Sequence, residues 1–284
     1  MIAKERFCLN RKAAPAIPLT ETIQLVSELG VPNIEVRNDL YGAPDNTTIL
    51  DHLSGQKVAN LLNENQVNVE TINAIGNMDN RDMIRENLKS LTSMLEMTKD
   101  FDLKNIIFCP VRSTDDHRSI EQRKTDAIAN VRDYSSVLKK YGVNGLIEPL
   151  GFADSTLRTP WEGQAVIDAA GVDNFKLVAD TFHYYLAGVT DEQFIHKVDV
   201  NYVGLVHLSA VTTTTTPLEN LDDQDRYMLS SDDIMESATL AKKFENAGYQ
   251  GLYAFEPFSD DLKNWDINQV KQAFEDSIEQ VQKA

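Results

Sequence analysis

The sequence predicts an α/β chain folded as one (β/α)₈ barrel of the TIM type over residues 1–284, and three observations predict it. Short apolar, β-branched runs recur along the whole chain, and a helical pattern follows each, the alternation that makes parallel βα units. Eight such runs are present, and 284 residues suit a fold that takes about 250 as one unit. No linker or internal repeat marks a second domain.

The strands are expected over 6–10, 33–37, 67–73, 105–109, 145–148, 176–180, 203–207 and 252–256. Between the first two, Thr20 is placed to cap a helix whose apolar stripe is Ile23, Val26 and Leu29, with Gly30 as its stop. Ile84, Leu88, Leu91 and Leu95 repeat at helical spacing between the third and fourth runs. After the seventh run comes the threonine stretch 212–216, leading into Asp222, Asp223 and Asp225. Its polar, β-branched composition reads as an extended surface loop; its place on the mouth side of a barrel also allows a loop that closes over substrate. A last helix over about 268–281 carries Val270, Phe274 and Ile278 on one face.

Composition narrows the function. With 42% hydrophobic and 25% charged residues the chain can bury a large core. A formal net charge of −17 opposes phosphate backbones, so no nucleic-acid partner is expected. No apolar run approaches the roughly 20 residues of a membrane span, and the start Met1-Ile2-Ala3-Lys4-Glu5-Arg6 lacks the apolar core of a signal peptide. No membrane partner and a cytoplasmic location are therefore expected. The two cysteines, Cys8 and Cys109, lie inside apolar runs where small buried thiols pack well, and no disulfide is expected.

Chemistry concentrates at strand ends. Four runs of the second half finish in Glu148, Asp180, His207 and Glu256. In a (β/α)₈ barrel all strands point their C-terminal ends at one mouth, so residues distant in sequence meet there. A charge ending a buried apolar run is costly unless it is paired or bound to metal. Three carboxylates and an imidazole suit one divalent ion, Mn²⁺ or Mg²⁺ first, with Zn²⁺ and Co²⁺ acceptable. Pro149 and Pro257 follow the two glutamates, stopping those strands and restricting the carboxylates' approach. His183, three residues beyond Asp180, can reach the same mouth or serve as a hydrogen-bonded histidine at a helix start. Asn10, Arg37 and Asn73 end runs of the first half, where they can meet substrate hydroxyls or cap turns. Arg226, in the acidic loop, can neutralise a developing oxyanion or pair with neighbouring acids.

These residues fall in motifs that span nearly the whole chain: Phe7-Cys8-Leu9-Asn10, Ile34-Glu35-Val36-Arg37, Ile72-Asn73-Ala74 and Glu148-Pro149-Leu150-Gly151 in the first part. Asp180-Thr181-Phe182-His183, Leu205-Val206-His207 and Phe255-Glu256-Pro257-Phe258 follow. The chain thereby resembles the xylose-isomerase-like sugar isomerase and epimerase superfamily, and within it the inosose (2-keto-myo-inositol) isomerases of inositol catabolism. The resemblance implies that Glu148, Asp180, His207 and Glu256 bind the metal and that His183 and Arg226 touch substrate. It also allows a homodimer. Where relatives often carry a Pro-Gly-rich turn after the loop arginine, this chain has Tyr227-Met228-Leu229-Ser230-Ser231.

The expected reaction is isomerisation of a small polyol ketone or ketose, with 2-keto-myo-inositol becoming 1-keto-D-chiro-inositol. Chelation of a carbonyl and its neighbouring hydroxyl by the metal acidifies the adjacent C–H, and a carboxylate moves that proton between carbons. Glu256 is expected as main base and Glu148 as ligand and second acid/base, with His183 and Arg226 orienting and polarising the substrate oxygens. The same frame serves ketose epimerases, hydroxypyruvate isomerases, and inosose or dehydroshikimate dehydratases. An apurinic-site endonuclease on this barrel would need more histidines than the five present and a basic surface.

Overall fold

A computed structural model describes residues 1–284. Eight parallel strands close in chain order: β1 (Phe7–Asn10), β2 (Asn33–Arg37), β3 (Asn68–Ile75), β4 (Asn105–Phe108), β5 (Asn144–Ile147), β6 (Phe175–Asp180), β7 (Val203–Leu208) and β8 (Leu252–Phe255). Pairing of Phe7 with Tyr253 and Leu9 with Phe255 joins β1 to β8 and completes the barrel. The helices are α1 (Leu19–Leu29), α2 (Gly55–Asn65), α3 (Ile84–Met97), α4 (Ile120–Tyr141), α5 (Pro160–Ala170), α6 (Thr181–Leu186), α7 (Asp191–Lys197), α8 (Ser237–Asn246) and α9 (Ile267–Lys283). No helix is long and apolar enough to cross a membrane.

All eight expected runs form strands, and the deviations are local. β3 continues two residues further than expected, and β4 stops before Cys109, which stands half-buried at the mouth. Thr20 does not cap α1. Pro18 is the cap residue, its carbonyl accepting from Thr22, and the amide of Leu19 is satisfied by Asp51 Oδ2 at 2.6 Å. A distant carboxylate thus takes the place of a local cap, which sequence spacing does not reveal. Gly30 ends the helix as expected, at φ 68°, where a side chain would be strained. Ser54, Ser119, Thr190 and Asp266 cap α2, α4, α7 and α9 through their own side chains.

Strand alternation sorts the barrel into two apolar environments. Phe7, Leu9, Val36, Ile106, Phe108, Ile147, Val206 and Phe255 point outward into the large core beneath the helices. There Phe255 meets Phe274 of α9 edge-on at 5.1 Å, and Phe108 meets Tyr134 of α4 at 4.7 Å. A phenylalanine buried in this way is worth about 3–5 kcal/mol over alanine. The opposite set, Cys8, Ile107, Leu146, Val178, Leu205 and Ala254, fills the barrel interior as a separate plug. Two residues further along the same strands stand Asn10, Cys109, Glu148, Asp180, His207 and Glu256. The period of two therefore stacks a polar layer directly on an apolar floor.

The threonine stretch is an exposed loop in which Thr213 bonds to Thr216 at 3.1 Å. The loop then returns: Tyr227 and Ala210 exchange backbone hydrogen bonds of 2.8 and 2.9 Å, and Met228 and Leu229 join the core. This pairing anchors the residues around Arg226 at the mouth.

Candidate metal centre

The side chains of Glu148, Asp180, His207 and Glu256 meet at the mouth, with one ligand atom from each lying within 4.8 Å of the others, all four buried. Nδ1 of His207 is 3.1 Å from Glu148 Oε1, 3.1 Å from Glu256 Oε2 and 3.9 Å from Asp180 Oδ2. One imidazole nitrogen carries at most one proton, so it cannot satisfy three carboxylate oxygens by hydrogen bonding. A divalent cation at the meeting point satisfies all four donors together, and the donor set is mostly hard oxygen. The residues present therefore fit such an ion.

Local chain chemistry aims each group. Asp180 ends β6 and turns its Oδ1 to the amides of Phe182 and His183 at 2.7 and 3.4 Å, capping α6, which leaves Oδ2 for the centre. Glu148 and Glu256 directly follow β5 and β8, each tied to the neighbouring strand by its own amide. Glu148 has only the Cys109 thiol, 3.6 Å away, on its Oε2.

Glu256 is the most heavily bonded acid. Its Oε1 accepts from Arg37 Nη1 at 2.5 Å, Asn73 Nδ2 at 3.0 Å and Asn10 Nδ2 at 3.3 Å, and its Oε2 accepts from Arg226 Nη2 at 2.8 Å. Electrostatics separate the two glutamates accordingly. Burial pushes both upward; for Glu256 the charges of His207, Arg226 and Arg37 overcome it and hold the carboxyl well below its ordinary range. For Glu148 burial and the nearby Glu256 charge prevail and the carboxyl is raised. Burial also raises Asp180 to about 6, against the pull of Arg226.

The expected substrate residues separate into three groups. His183 lines a cavity of about 240 Å³ above the four acids and bases, together with Arg112, Phe152, Asp223 and Phe258. Burial, and then the Arg226 charge, lower His183 to about 4, so its imidazole is neutral at pH 7. It does start a helix, yet its Nδ1 has no hydrogen-bond partner. Arg226, Arg37 and Asn73 reach the same cavity, but their donors are engaged by acids. Arg226 Nη2 donates to Asp180 Oδ2 at 2.5 Å as well as to Glu256, and Arg37 grips Asp39 with two bonds of 2.7 and 3.0 Å. Asn10 shows the turn-capping alternative. It is fully buried and outside the cavity lining; its carbonyl caps the turn at Lys12 and its amide serves Glu35 and Glu256. Its amide links two carboxylates, Glu35 and Glu256.

Sequence reasoning passed over Glu35, fully buried in the middle of β2 with His207 Nε2 at 3.0 Å. The available signal was the one used for the other acids, a charge within an apolar run, but Glu35 is not at a strand end. Arg112 was also missed. It lies 3.4 Å over the Phe152 ring and reaches Asp154 and Asp223, bridging two mouth loops that no sequence spacing connects.

Residues 23–283 match the family model described as xylose isomerase-like TIM barrel. The chain belongs to that family. Among its relatives, an inosose isomerase of Halalkalibacterium halodurans is 24% identical over 222 residues, covering 77% of each chain. One of Bacillus velezensis is 26% identical over 212 residues, 73% of this chain and 72% of the other. A xylose isomerase domain containing protein from Salmonella typhimurium superposes at a TM-score of 0.91, with 32% identity over 99% of both chains. The IolI protein with a bound zinc atom shares the fold at a TM-score of 0.87, with 19% identity over 98% of both chains. Family membership accounts for the closed parallel barrel; the chemistry of the mouth rests on the geometry above.

Proposed function

We propose that the protein is a divalent-metal-dependent isomerase of a cyclic polyhydroxy ketone, converting 2-keto-myo-inositol to 1-keto-D-chiro-inositol. The observation that carries this reading is the convergence of Glu148, Asp180, His207 and Glu256 on one point beneath a cavity of about 240 Å³. Ligand pockets commonly run from about 300 to 1,000 Å³, so this one suits a single small ring. The inosose isomerase relatives support the substrate class.

Glu148, Asp180, His207 and Glu256 would hold the ion. When bound, a divalent ion supplies Lewis-acid polarisation of a ketone carbonyl and its neighbouring hydroxyl. Glu148 takes the proton from the carbon beside the carbonyl and returns it to the former carbonyl carbon, and no electrons leave the substrate. This assignment revises the expectation that Glu256 is the main base. Both glutamates line the cavity, but both oxygens of Glu256 already accept guanidinium or amide hydrogens, whereas no guanidinium or amide group bonds to Glu148. His183, a neutral imidazole with a free ring nitrogen, is suited to carry a hydroxyl proton between the two substrate oxygens. Arg226 stabilises negative charge as it develops on those oxygens.

Incubating the metal-loaded protein with 2-keto-myo-inositol in D₂O, followed by NMR, tests the reading. The expected result is 1-keto-D-chiro-inositol with deuterium at the exchanged carbon, and no exchange in a Glu148→Gln variant. Exchange confined to ordinary ketoses such as tagatose would make the enzyme an epimerase. Release of an unsaturated product absorbing in the ultraviolet would make it a dehydratase.

A further inference from the structure

Glu35 does not line the cavity, yet every side chain that bonds to it belongs to the centre. Burying a carboxylate costs several kcal/mol unless its partners are well placed, so a fully buried Glu35 in mid-strand needs a physical reason. The β2–β3 register shifts between Ile34 and Glu35: Ile34 pairs with Val69 but Glu35 with Thr71. An irregularity of this kind re-aims a side chain, and here it accompanies a carboxylate that faces into the barrel between two outward aliphatic residues.

Its two oxygens have different duties. Oε2 faces His207 Nε2 at 3.0 Å. A carboxylate accepts and does not donate, so this contact requires the imidazole proton on Nε2. Nδ1, which faces Glu148, Asp180 and Glu256, is then the nitrogen left to bind an ion. Oε1 accepts from Asn10 Nδ2 at 2.5 Å and Asn73 Nδ2 at 3.0 Å, and the same two amides reach Glu256 Oε1. Two amide groups thereby link Glu35 to Glu256 across the barrel floor.

We propose that Glu35 is a positioning residue that fixes the tautomer and ring orientation of His207 for metal binding and, through Asn10 and Asn73, the approach of Glu256. This rests on the metal reading given above. Partners of this kind behind a metal-ligating histidine typically change metal affinity about 10–100-fold when removed.

Zn²⁺ titration of the metal-free protein by calorimetry, comparing the wild type with Glu35→Gln, tests the assignment. Glutamine has one acceptor oxygen where the network needs two, so its NH2 group faces either the amides of Asn10 and Asn73 or the Nε2 proton of His207, and the network cannot be rebuilt in either orientation. The expected result is Zn²⁺ binding weakened about tenfold to a hundredfold. Affinity within twofold of wild type overturns the role of Glu35, whereas a wild type that binds no Zn²⁺ overturns the metal reading itself. A second measurement needs no variant. With only five histidines in the chain, long-range ¹H–¹⁵N spectra of the Zn²⁺-loaded wild type resolve the ring of His207. A proton on Nε2 with metal on Nδ1 is expected; the reverse arrangement overturns the proposal even if Glu35→Gln fails to fold.

Discussion

Where β5 to β8 open into the mouth, the chain presents Glu148, Asp180, His207 and Glu256, three acids around one imidazole. Where β1 to β3 open, it presents Asn10, Arg37 and Asn73, whose donors all reach Glu256, with Glu35 behind them bonded to His207. The two halves differ in how they balance charge. In the first, Arg37 has Asp39 as its own acid; in the second, three buried carboxylates within 4.8 Å share Arg226, and Glu256 takes a second guanidinium, Arg37, from across the barrel. The lesson is that the half that carries the ligands is held by the half that carries none. In strand-end composition the first half looks like a set of ordinary turn residues; in space its donors converge on Oε1 of Glu256 and fix its direction.

The comparison breaks most sharply at Asp180. Asp180→Asn keeps an oxygen for the α6 cap but removes the charge facing His207 and Arg226, so the division of roles predicts loss of both bound metal and turnover. Metal analysis of the purified variant, alongside the D₂O exchange assay, reads this; a fully loaded, active Asp180→Asn protein would mean that the second half is not the ligand half.

A smaller effect is expected from Arg37→Ala in the first half. It leaves Asp39 without its principal cation and Glu256 without one of its two guanidinium partners, and breaking a buried pair of this kind costs about 3–5 kcal/mol. Urea unfolding of the metal-free forms measures it, and an unchanged midpoint would deny the first half its supporting role. Sequence pattern alone could place Arg37 at a strand end, but not assign it to a carboxylate 219 residues away.

The smallest effect sharpens the comparison by lying outside both halves. Before α4, Asp116 accepts from Arg118 at 2.8 Å and lies 3.3 Å from Arg123 Nε, and the Arg118 bond holds its carboxyl down at about 2 against an ordinary 3.8. A depressed carboxylate stabilises the fold above its unfolded value and loses that contribution as pH falls toward its folded value. Asp116→Asn should therefore cost about 1–3 kcal/mol at pH 6, with the difference from wild type fading between about pH 4 and pH 2. Zn²⁺ affinity should be unchanged; a changed affinity would show that charges remote from the mouth also tune it.

The alternation of apolar runs and helical stripes determined the closed barrel, because period-two strands followed by amphipathic helices bury their apolar surface most fully as parallel βα units. The same alternation determined which four side chains finish β5 to β8, since a charge at the end of a buried run has few affordable environments. Tertiary structure alone decided what those groups meet. Asp51 satisfies α1 from a distant loop, Asn10 turns beneath the cavity, and Glu35 reaches His207 across 172 residues of sequence. Hydrogen bonds select partners by direction and by distances near 3 Å, quantities that exist only after the barrel has closed.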